Sequence, residues 1–263
     1  MPTLHLGDID TSYELNGAGD PVVLIHGLGS SARDWEQQVP ALADRYRVLT
    51  YDIRGHGRTS KPRGPYSVAQ FANDLALLQE RLEHRPAHVV GISMGGMIAF
   101  QLAVDRPDLV RSIIIVNSGP ALVPRSLAEH LAVWSRIAIA KLRGPSAMGA
   151  VLAPRLFPSP DQEPLRRQFV ERWAENDKDA YYAALRAIIG WSVRDRIGGI
   201  RCPVLVVAAD HDYTPVSAKE AYLPEIPGAT LKVIADSRHA TPMERPQAFN
   251  EVLREFLDNR TSS

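Results

Sequence analysis

The chain has 263 residues, of which 45% are hydrophobic and 23% are charged, a balance typical of an ordinary globular protein rather than a disordered one. The 30 basic residues are matched by 30 acidic residues, so no overall basic field favours nucleic acid as a partner. A single cysteine, Cys202, excludes an intramolecular disulfide bond.

The alternation of predicted strands and helices is the main structural signal. Two short strand-like runs flank a turn at Gly7-Asp8 and predict an antiparallel hairpin over residues 3–6 and 9–15. Further strands are predicted at residues 21–25, 46–51, 87–92, 110–116, 203–207 and 229–234. Helices are predicted at residues 35–44, 68–82, 94–104, 216–222 and 246–257.

Residues 121–191 interrupt this alternation, because they contain helix-like segments and no convincing strand. The six prolines in this region predict short or kinked helices. Repeated strand–helix alternation implies a parallel sheet with helices on both faces. We therefore expect one core, formed by residues 1–120 and 192–263, and a helical lid, residues 121–191, over the carboxyl ends of the strands, where ligands bind in such folds.

Gly91-Ile92-Ser93-Met94-Gly95 matches the pattern G-x-S-x-G. The match follows a predicted strand and opens a predicted helix, which is the context of a nucleophile elbow. Glycines allow the backbone to approach closely at such a sharp turn, and the helix N-terminus supplies unpaired N–H groups and a partial positive charge. We predict that Ser93 is a nucleophile that attacks a carbonyl carbon.

A serine hydroxyl needs a base that is itself held by a third group. With a nucleophile elbow, the acid and then the histidine follow the serine in the chain. Three histidines follow Ser93, namely His130 in the predicted lid, His211 beside the candidate acids, and His239 in the loop after the last strand. The position of His239 at the catalytic edge of the sheet favours it as the base. Spacing alone leaves the acid open between two carboxylates, Asp210 and Asp212.

Five motifs carry a family resemblance that runs over residues 4–257. They are His26-Gly27-Leu28-Gly29, Asp52-x-Arg54-Gly55-His56-Gly57-x-x-Ser60, Gly91-x-Ser93-x-Gly95, Asp212-Tyr213-Thr214-Pro215 and His239-Ala240-Thr241-Pro242. With these motifs the chain resembles the α/β-hydrolase superfamily, in its single-lid, carboxylesterase-like branch of serine hydrolases. The resemblance implies the α/β-hydrolase fold, a mostly parallel, doubly wound sheet with an inserted helical lid.

The resemblance also implies roles for individual residues. The acid of the family lies in a G-x-x-D pattern ahead of a proline, which places it at Asp212, although Ala209 replaces the glycine. The family's oxyanion hole corresponds to the backbone N–H groups of Leu28 and Met94. The ring of His26 is expected to fix the loop rather than to take part in the reaction.

These features predict a serine hydrolase that cleaves carboxylic esters of small to medium hydrophobic substrates through an acyl-enzyme on Ser93. Lactone or enol-lactone hydrolysis and carbon–carbon bond hydrolysis use the same triad and stay open as alternatives. A different alternative is a ligand-binding receptor on a hydrolase scaffold. Epoxide hydrolases and dehalogenases of this fold carry aspartate at the position of Ser93, which argues against them.

The remaining expectations concern partners and location. No motif with metal-ligand spacing and no phosphate-binding glycine loop is present, so we expect no cofactor and no metal. The expected partner is a small-molecule ester or lactone. The N-terminus does not resemble a signal peptide, and no apolar stretch approaches the roughly 20 residues that span a bilayer, so a cytoplasmic enzyme is the default expectation.

Overall fold

One eight-stranded sheet organises the computed structural model, which describes residues 1–261. The strands are β1 (Thr3–Leu6), β2 (Ile9–Asn16), β3 (Asp20–Ile25), β4 (Tyr46–Tyr51), β5 (Ala87–Ile92), β6 (Val110–Val116), β7 (Val204–Ala209) and β8 (Thr230–Ile234). Their spatial order is β1-β2-β4-β3-β5-β6-β7-β8. β1 and β2 pair antiparallel, as does β2 with β4, and all other neighbours are parallel. The predicted hairpin and the predicted parallel sheet are therefore confirmed.

The central strands are apolar because both faces of the sheet are covered. Residues 22–25 of β3 and all six residues of β7 are buried, as parallel strands between two helical layers require. The core accordingly divides into two clusters, one on each face of the sheet. β8, at the edge of the sheet, is less buried than the central strands, and its Val233 is exposed.

The helices in chain order are α1 (Val39–Leu42), α2 (Val68–Arg81), α3 (Met94–Asp105), α4 (Leu127–Leu156), α5 (Glu163–Ala174), α6 (Lys178–Ile188), α7 (Val216–Glu220), α8 (Thr241–Glu244) and α9 (Pro246–Thr261). The helix predicted over residues 35–44 is wrong in extent, because a 3₁₀ turn (Ala32–Trp35) and the short α1 replace it. Pro40 lacks an N–H group and fits only the first turn of a helix, so α1 begins just before it.

The helical insertion, residues 121–191, lies between β6 and β7 and contains α4, α5 and α6. Its two ends meet, because Ala121 and Ser192 form an isolated antiparallel bridge. α4 is kinked at Gly144, which has φ 79° and precedes Pro145, so its two helical stretches agree with the prediction of short or kinked helices. Over the described part of the chain, no helix combines the length and apolar character needed to cross a membrane.

Candidate active site

Ser93 lies on a strained turn between β5 and α3. Its backbone has φ 54° and ψ −117°, in the positive-φ region that non-glycine residues rarely adopt. A Cβ atom at Gly91 would lie 2.2 Å from the carbonyl oxygen of Gly95, and one at Gly95 would lie 2.2 Å from that of Ile25. Only glycine fits at either position, and the tight turn presents the half-buried Ser93 at the carboxyl end of the sheet.

Asp212 and His239 form a hydrogen-bonded pair at the same edge. The Nδ1 atom of His239 lies 2.8 Å from Oδ1 of Asp212, whose side chain is fully buried. Asp210 instead accepts hydrogen bonds from the backbone N–H groups of Asp236 and Ser237, at 2.9 and 3.0 Å. Of the two candidate acids, Asp212 is thus the one that contacts the imidazole.

The ionised form of Asp212 is stabilised by three hydrogen-bond donors, on His239, Lys219 and Thr214. Burial alone would raise the pKa of this carboxyl group, but the hydrogen bond from His239 and the positive charge of Lys219 outweigh burial and lower the pKa to about 2. The Nζ atom of Lys219 donates to Oδ2 of Asp212 at 2.7 Å, and its side chain is 2% exposed. Sequence reasoning missed Lys219, because lysine is rarely buried and nothing local to α7 indicates its partner.

Tyr213 contacts the other nitrogen of the imidazole. Its hydroxyl lies 2.6 Å from Nε2 of His239, and its ring stacks on the imidazole with 4.1 Å between ring centroids. The hydroxyl also interacts with the side chains of Ser93 and Arg136. Within residues 1–261, no direct hydrogen bond joins Ser93 Oγ to His239 Nε2, and Nε2 is instead paired with the Tyr213 hydroxyl.

The backbone N–H groups of Leu28 and Met94 are free to receive an anionic oxygen. Among residues 1–261, neither group donates to a backbone or side-chain acceptor. Gly27 brings the first loop against the nucleophile, since a Cβ atom there would lie 3.5 Å from Cβ of Ser93. The Leu28 amide thus lies on the loop that packs against Ser93 and the Met94 amide at the first residue of α3, the arrangement that an oxyanion hole requires.

Asn117 positions the loop that carries His239. It follows β6, has φ 46°, and donates from Nδ2 to the carbonyl oxygen of His239 at 3.0 Å and to Oγ1 of Thr241 at 2.9 Å. Its Oδ1 atom accepts from the backbone N–H of Ala209 at 2.8 Å, at the end of β7. The buried amide of Asn117 therefore connects the loop that carries the base to the end of β7, which precedes the acid. Sequence reasoning did not identify this residue.

The motif around Asp52 braces the loops beneath the site. Asp52 accepts from the backbone N–H groups of Ala32 and Arg58, each at 2.8 Å, and thus ties the loop after β3 to the turn after β4. Arg54 is 4% exposed and forms ion pairs with Asp74 and Asp8, at 2.8 and 2.7 Å. Both contacts are structural, and neither residue reaches Ser93.

His26 and His56 are buried and neutral. Nδ1 of His26 lies 2.8 Å from the carbonyl oxygen of Gly27, and Nε2 accepts from the backbone N–H of Ile53 at 3.0 Å, so each ring nitrogen has a role only in the neutral tautomer. Burial lowers the pKa of His26 to about 4 and that of His56 to about 3. The expected structural role of His26 agrees with these contacts.

A cavity of about 280 Å³ opens above Ser93 and His239. Most of its lining is apolar, as in most small-molecule sites. The helical insertion contributes to this lining the residues Arg136, Leu152, Leu156, Phe169, Trp173 and Ile188. Other apolar residues of the insertion, such as Met148 and Tyr181, belong to its core, whereas Trp134 and Leu142 are 68% and 75% exposed.

One cluster of metal-binding residue types lies close to the site. Side-chain atoms of Asp210, His211 and Asp236 come within 4.8 Å of one another, and all three residues are exposed. Both carboxylate oxygens of Asp210 already accept backbone hydrogen bonds. The cluster therefore forms a braced loop next to the acid, outside the cavity that contains Ser93.

Residues 20–246 match a protein family described as the alpha/beta hydrolase fold. The chain therefore belongs to the α/β-hydrolase family and is a hydrolase, which confirms the resemblance seen in its motifs. A protein of Azorhizobium caulinodans, provisionally named the carbamate hydrolase RutD, is 34% identical over 97% of this chain and 98% of its own length. The 3-oxoadipate enol-lactonase 2 of Acinetobacter baylyi is 30% identical over 97% and 96%, respectively.

Solved structures agree with this assignment. The enol-lactonase of Burkholderia xenovorans LB400 has a TM-score of 0.90 and 27% sequence identity, and the match covers 98% of this chain and 100% of that one. A thermophilic esterase of Thermogutta terrifontis has a TM-score of 0.87 and 27% identity over 97% and 95% of the two chains. The fold is thus shared with hydrolases of esters and lactones.

Proposed function

We propose that the protein hydrolyses carboxylic esters of small to medium hydrophobic acids through an acyl-enzyme on Ser93. The observation that supports this proposal best is the hydrogen-bonded pair of Asp212 and His239 beside a serine held on a nucleophile elbow. The apolar cavity above these residues suits the acyl part of such a substrate.

In the proposed reaction, Ser93 Oγ attacks the ester carbonyl carbon while Nε2 of His239 takes the hydroxyl proton. The carbonyl oxygen becomes an oxyanion that accepts hydrogen bonds from the N–H groups of Leu28 and Met94. The tetrahedral intermediate collapses, the bond to the alcohol oxygen breaks, and His239 gives that oxygen its proton. Water then attacks the acyl-enzyme by the same route, releasing the carboxylic acid and restoring Ser93.

Lactone hydrolysis is the second candidate. A lactone is a cyclic ester, so the same atoms perform the same steps, but the alcohol and the acid leave as one molecule. The enol-lactonase relatives favour this candidate. The carbamate activity in the name of the Azorhizobium relative adds a third carbonyl substrate to be assayed. The cytoplasmic location expected from the sequence stays a prediction.

The first experiment measures hydrolysis of p-nitrophenyl esters from acetate to decanoate, together with a γ-lactone and a phenyl carbamate. We expect turnover of short acyl chains by the wild type and a loss of about 10⁴-fold or more in Ser93→Ala, because the nucleophile is removed. Full activity in Ser93→Ala would overturn the mechanism. Tight binding of these compounds without turnover in the wild type would instead favour the receptor alternative.

A matched pair of variants tests the acid. Asp212→Asn should lower kcat by about 10³- to 10⁴-fold, because an amide cannot stabilise the imidazolium that forms on His239. Asp210→Asn, which changes the neighbouring carboxylate that does not contact the imidazole, should cost less than about tenfold. The reverse ranking of the two variants would assign the acid to Asp210.

The pH profile of kcat/KM gives a further test. Activity should rise with pH, because only a neutral imidazole accepts the proton of Ser93. The pKa of Asp212 is lowered to about 2, so this carboxylate stays ionised above pH 4 and should add no second acidic limb to the profile. A profile that is flat from pH 5 to pH 8 would exclude His239 as the base.

A further inference from the structure

Arg136 is a cation of the active-site cavity that has no anionic partner. It lies on α4, is half-buried, and lines the same cavity as Ser93 and His239. Its Nε atom is buried without a hydrogen-bond partner, and within residues 1–261 it forms no ion pair with any carboxylate. The Tyr213 hydroxyl is the polar group with which its side chain interacts at the site.

The other charged residues of the cavity are all paired. Lys219 forms an ion pair with Asp212 at 2.7 Å, and Arg194 with Glu225. Asp34, which also lines the cavity, pairs with Arg172 at 3.1 Å. A charge that is partly removed from water is costly unless it is paired. Arg136 differs from the other charged residues of the cavity in having no such partner, so its guanidinium is suited to bind an anion from outside the chain.

The chemistry of the group indicates which anion fits. A guanidinium presents its donors in a rigid fork that matches the two oxygens of a carboxylate. The Tyr213 hydroxyl lies 2.6 Å from Nε2 of His239 and interacts with the side chains of Arg136 and Ser93. Arg136 and Ser93 line the same cavity of about 280 Å³, so a short acyl chain can join a carboxylate at the guanidinium to a carbonyl carbon at the serine.

We propose that Arg136 makes this site select esters or lactones whose acyl part ends in a free carboxylate, so that the substrates are half-esters of short dicarboxylic acids or lactones of similar charge. This inference rests on the proposed function and narrows its substrate class. The carboxylate binds the guanidinium and takes over the place of the Tyr213 hydroxyl on Arg136, while the carbonyl carbon lies over Ser93.

The kinetic test compares an anionic with a neutral ester of similar length, p-nitrophenyl hydrogen glutarate and p-nitrophenyl pentanoate. The measured quantity is the ratio of their kcat/KM values. We expect the ratio in the wild type to exceed one, and Arg136→Met to lower it by about 30- to 100-fold, since a charged hydrogen-bonded contact is lost. Arg136→Lys should restore part of the ratio, because it keeps the charge but not the fork.

Arg155→Met is the matched control, because Arg155 lies on the same helix but is exposed and outside the cavity. It should leave the ratio unchanged. A wild-type ratio below one that Arg136→Met does not alter would overturn the inference and leave the proposed esterase function intact.

Binding distinguishes this inference from a failure of the proposed function itself. Monomethyl glutarate and dimethyl glutarate are titrated by calorimetry into Ser93→Ala, which cannot turn them over by the proposed route. We expect about tenfold tighter binding of the anionic half-ester, and loss of that preference in Ser93→Ala/Arg136→Met. Equal affinity for the two ligands would reject the anion subsite, whether or not the wild type hydrolyses any ester.

Discussion

The Tyr213 hydroxyl and the Ser93 hydroxyl compete for one nitrogen atom. The proposed reaction requires Ser93 to donate to Nε2 of His239, yet Tyr213 holds this atom at 2.6 Å. The tyrosine is 55% exposed at the mouth of the cavity, so its side chain has room to rotate away. Breaking the hydrogen bond between Tyr213 and His239 therefore adds the free energy of one net hydrogen bond, on the order of 1 kcal/mol, to the barrier of the proposed reaction.

Tyr213→Phe should accordingly raise kcat/KM for a small neutral ester by about fivefold, because 1 kcal/mol corresponds to that factor. The substitution keeps the ring that stacks on His239 and removes only the competing hydroxyl. Steady-state kinetics with p-nitrophenyl acetate measure the effect. Tyr182→Phe is the control, because Tyr182 lies on α6 and forms no side-chain hydrogen bond within residues 1–261. A tenfold decrease in Tyr213→Phe would mean that the hydroxyl assists the reaction.

Motifs predicted the candidate residues whose local backbone is distinctive. Ser93 and His239 could be identified because a strand, a glycine turn and a helix form a pattern within a few residues. Asn117 and Lys219 could not, because their roles depend on contacts across the sheet. Asn117 is 122 residues from His239 in the chain. Such contacts are fixed by the fold and leave no local signal in the sequence.

At the scale of secondary structure, α5 is coupled to the loop that carries the Leu28 amide. Trp173 packs so closely on this loop that a Cβ atom at Gly29 would lie 2.9 Å from its ring. Asn176 donates to the carbonyl oxygen of Gly29 at 2.8 Å, and Arg172 pairs with Asp34. The helical insertion therefore fixes one side of the candidate oxyanion hole as well as covering the cavity.

Gly29→Ala tests this coupling. Gly29 has φ +76°, and an added methyl group would push the loop away from Trp173, so we expect kcat to fall by about 10- to 100-fold. Gly7→Ala is the control, since its φ of +64° imposes similar backbone strain with no atom within 4 Å of the new Cβ. Both variants should lose about 1–2 kcal/mol of stability, but equal losses of kcat would disprove the coupling.

Elements were predicted well wherever their hydrophobic period was unambiguous. The apolar residues of the strands and of α2 recur with the spacing expected for buried strands and for one face of a helix. The bounds of these elements therefore lie within a few residues of the predicted ones. The helix over residues 35–44 was overestimated, because spacing suggested a helix where Pro40 delays one. In residues 121–191, the prolines predicted short or kinked helices, and α4 is kinked, with Pro145 opening its second helical stretch.

For the molecule as a whole, buried neutral histidines link stability to pH. The pKa values of His26, His84 and His88 are lowered to about 4, and that of His56 to about 3, mainly by burial. In His56, His84 and His88, one ring nitrogen has no hydrogen-bond partner among the described residues, so protonation would bury an unsatisfied N–H. Their stabilising contribution is complete above pH 6.5 and is lost as pH falls toward 4.

We therefore expect the free energy of unfolding to decrease steeply between pH 6 and pH 5. The four histidines take up protons on unfolding, whereas Asp34, whose pKa burial raises to about 6, releases one. The net uptake of about three protons corresponds to about 4 kcal/mol per pH unit. Urea denaturation across this range measures the slope. His84→Gln should reduce it by about 1.4 kcal/mol per pH unit, whereas the exposed His5→Gln should not; equal slopes would reject this account.

The bridge between Ala121 and Ser192 makes the intervening segment a replaceable cassette. The residues proposed for catalysis all belong to the remaining scaffold, whereas Arg136 and part of the apolar lining of the cavity belong to the cassette. Because its ends are neighbours, a segment of different length and composition can be grafted there without stretching β6 or β7. Library design for substrate preference is therefore directed to residues 122–191, with Trp173 and Asn176 kept because they hold the loop of the Leu28 amide.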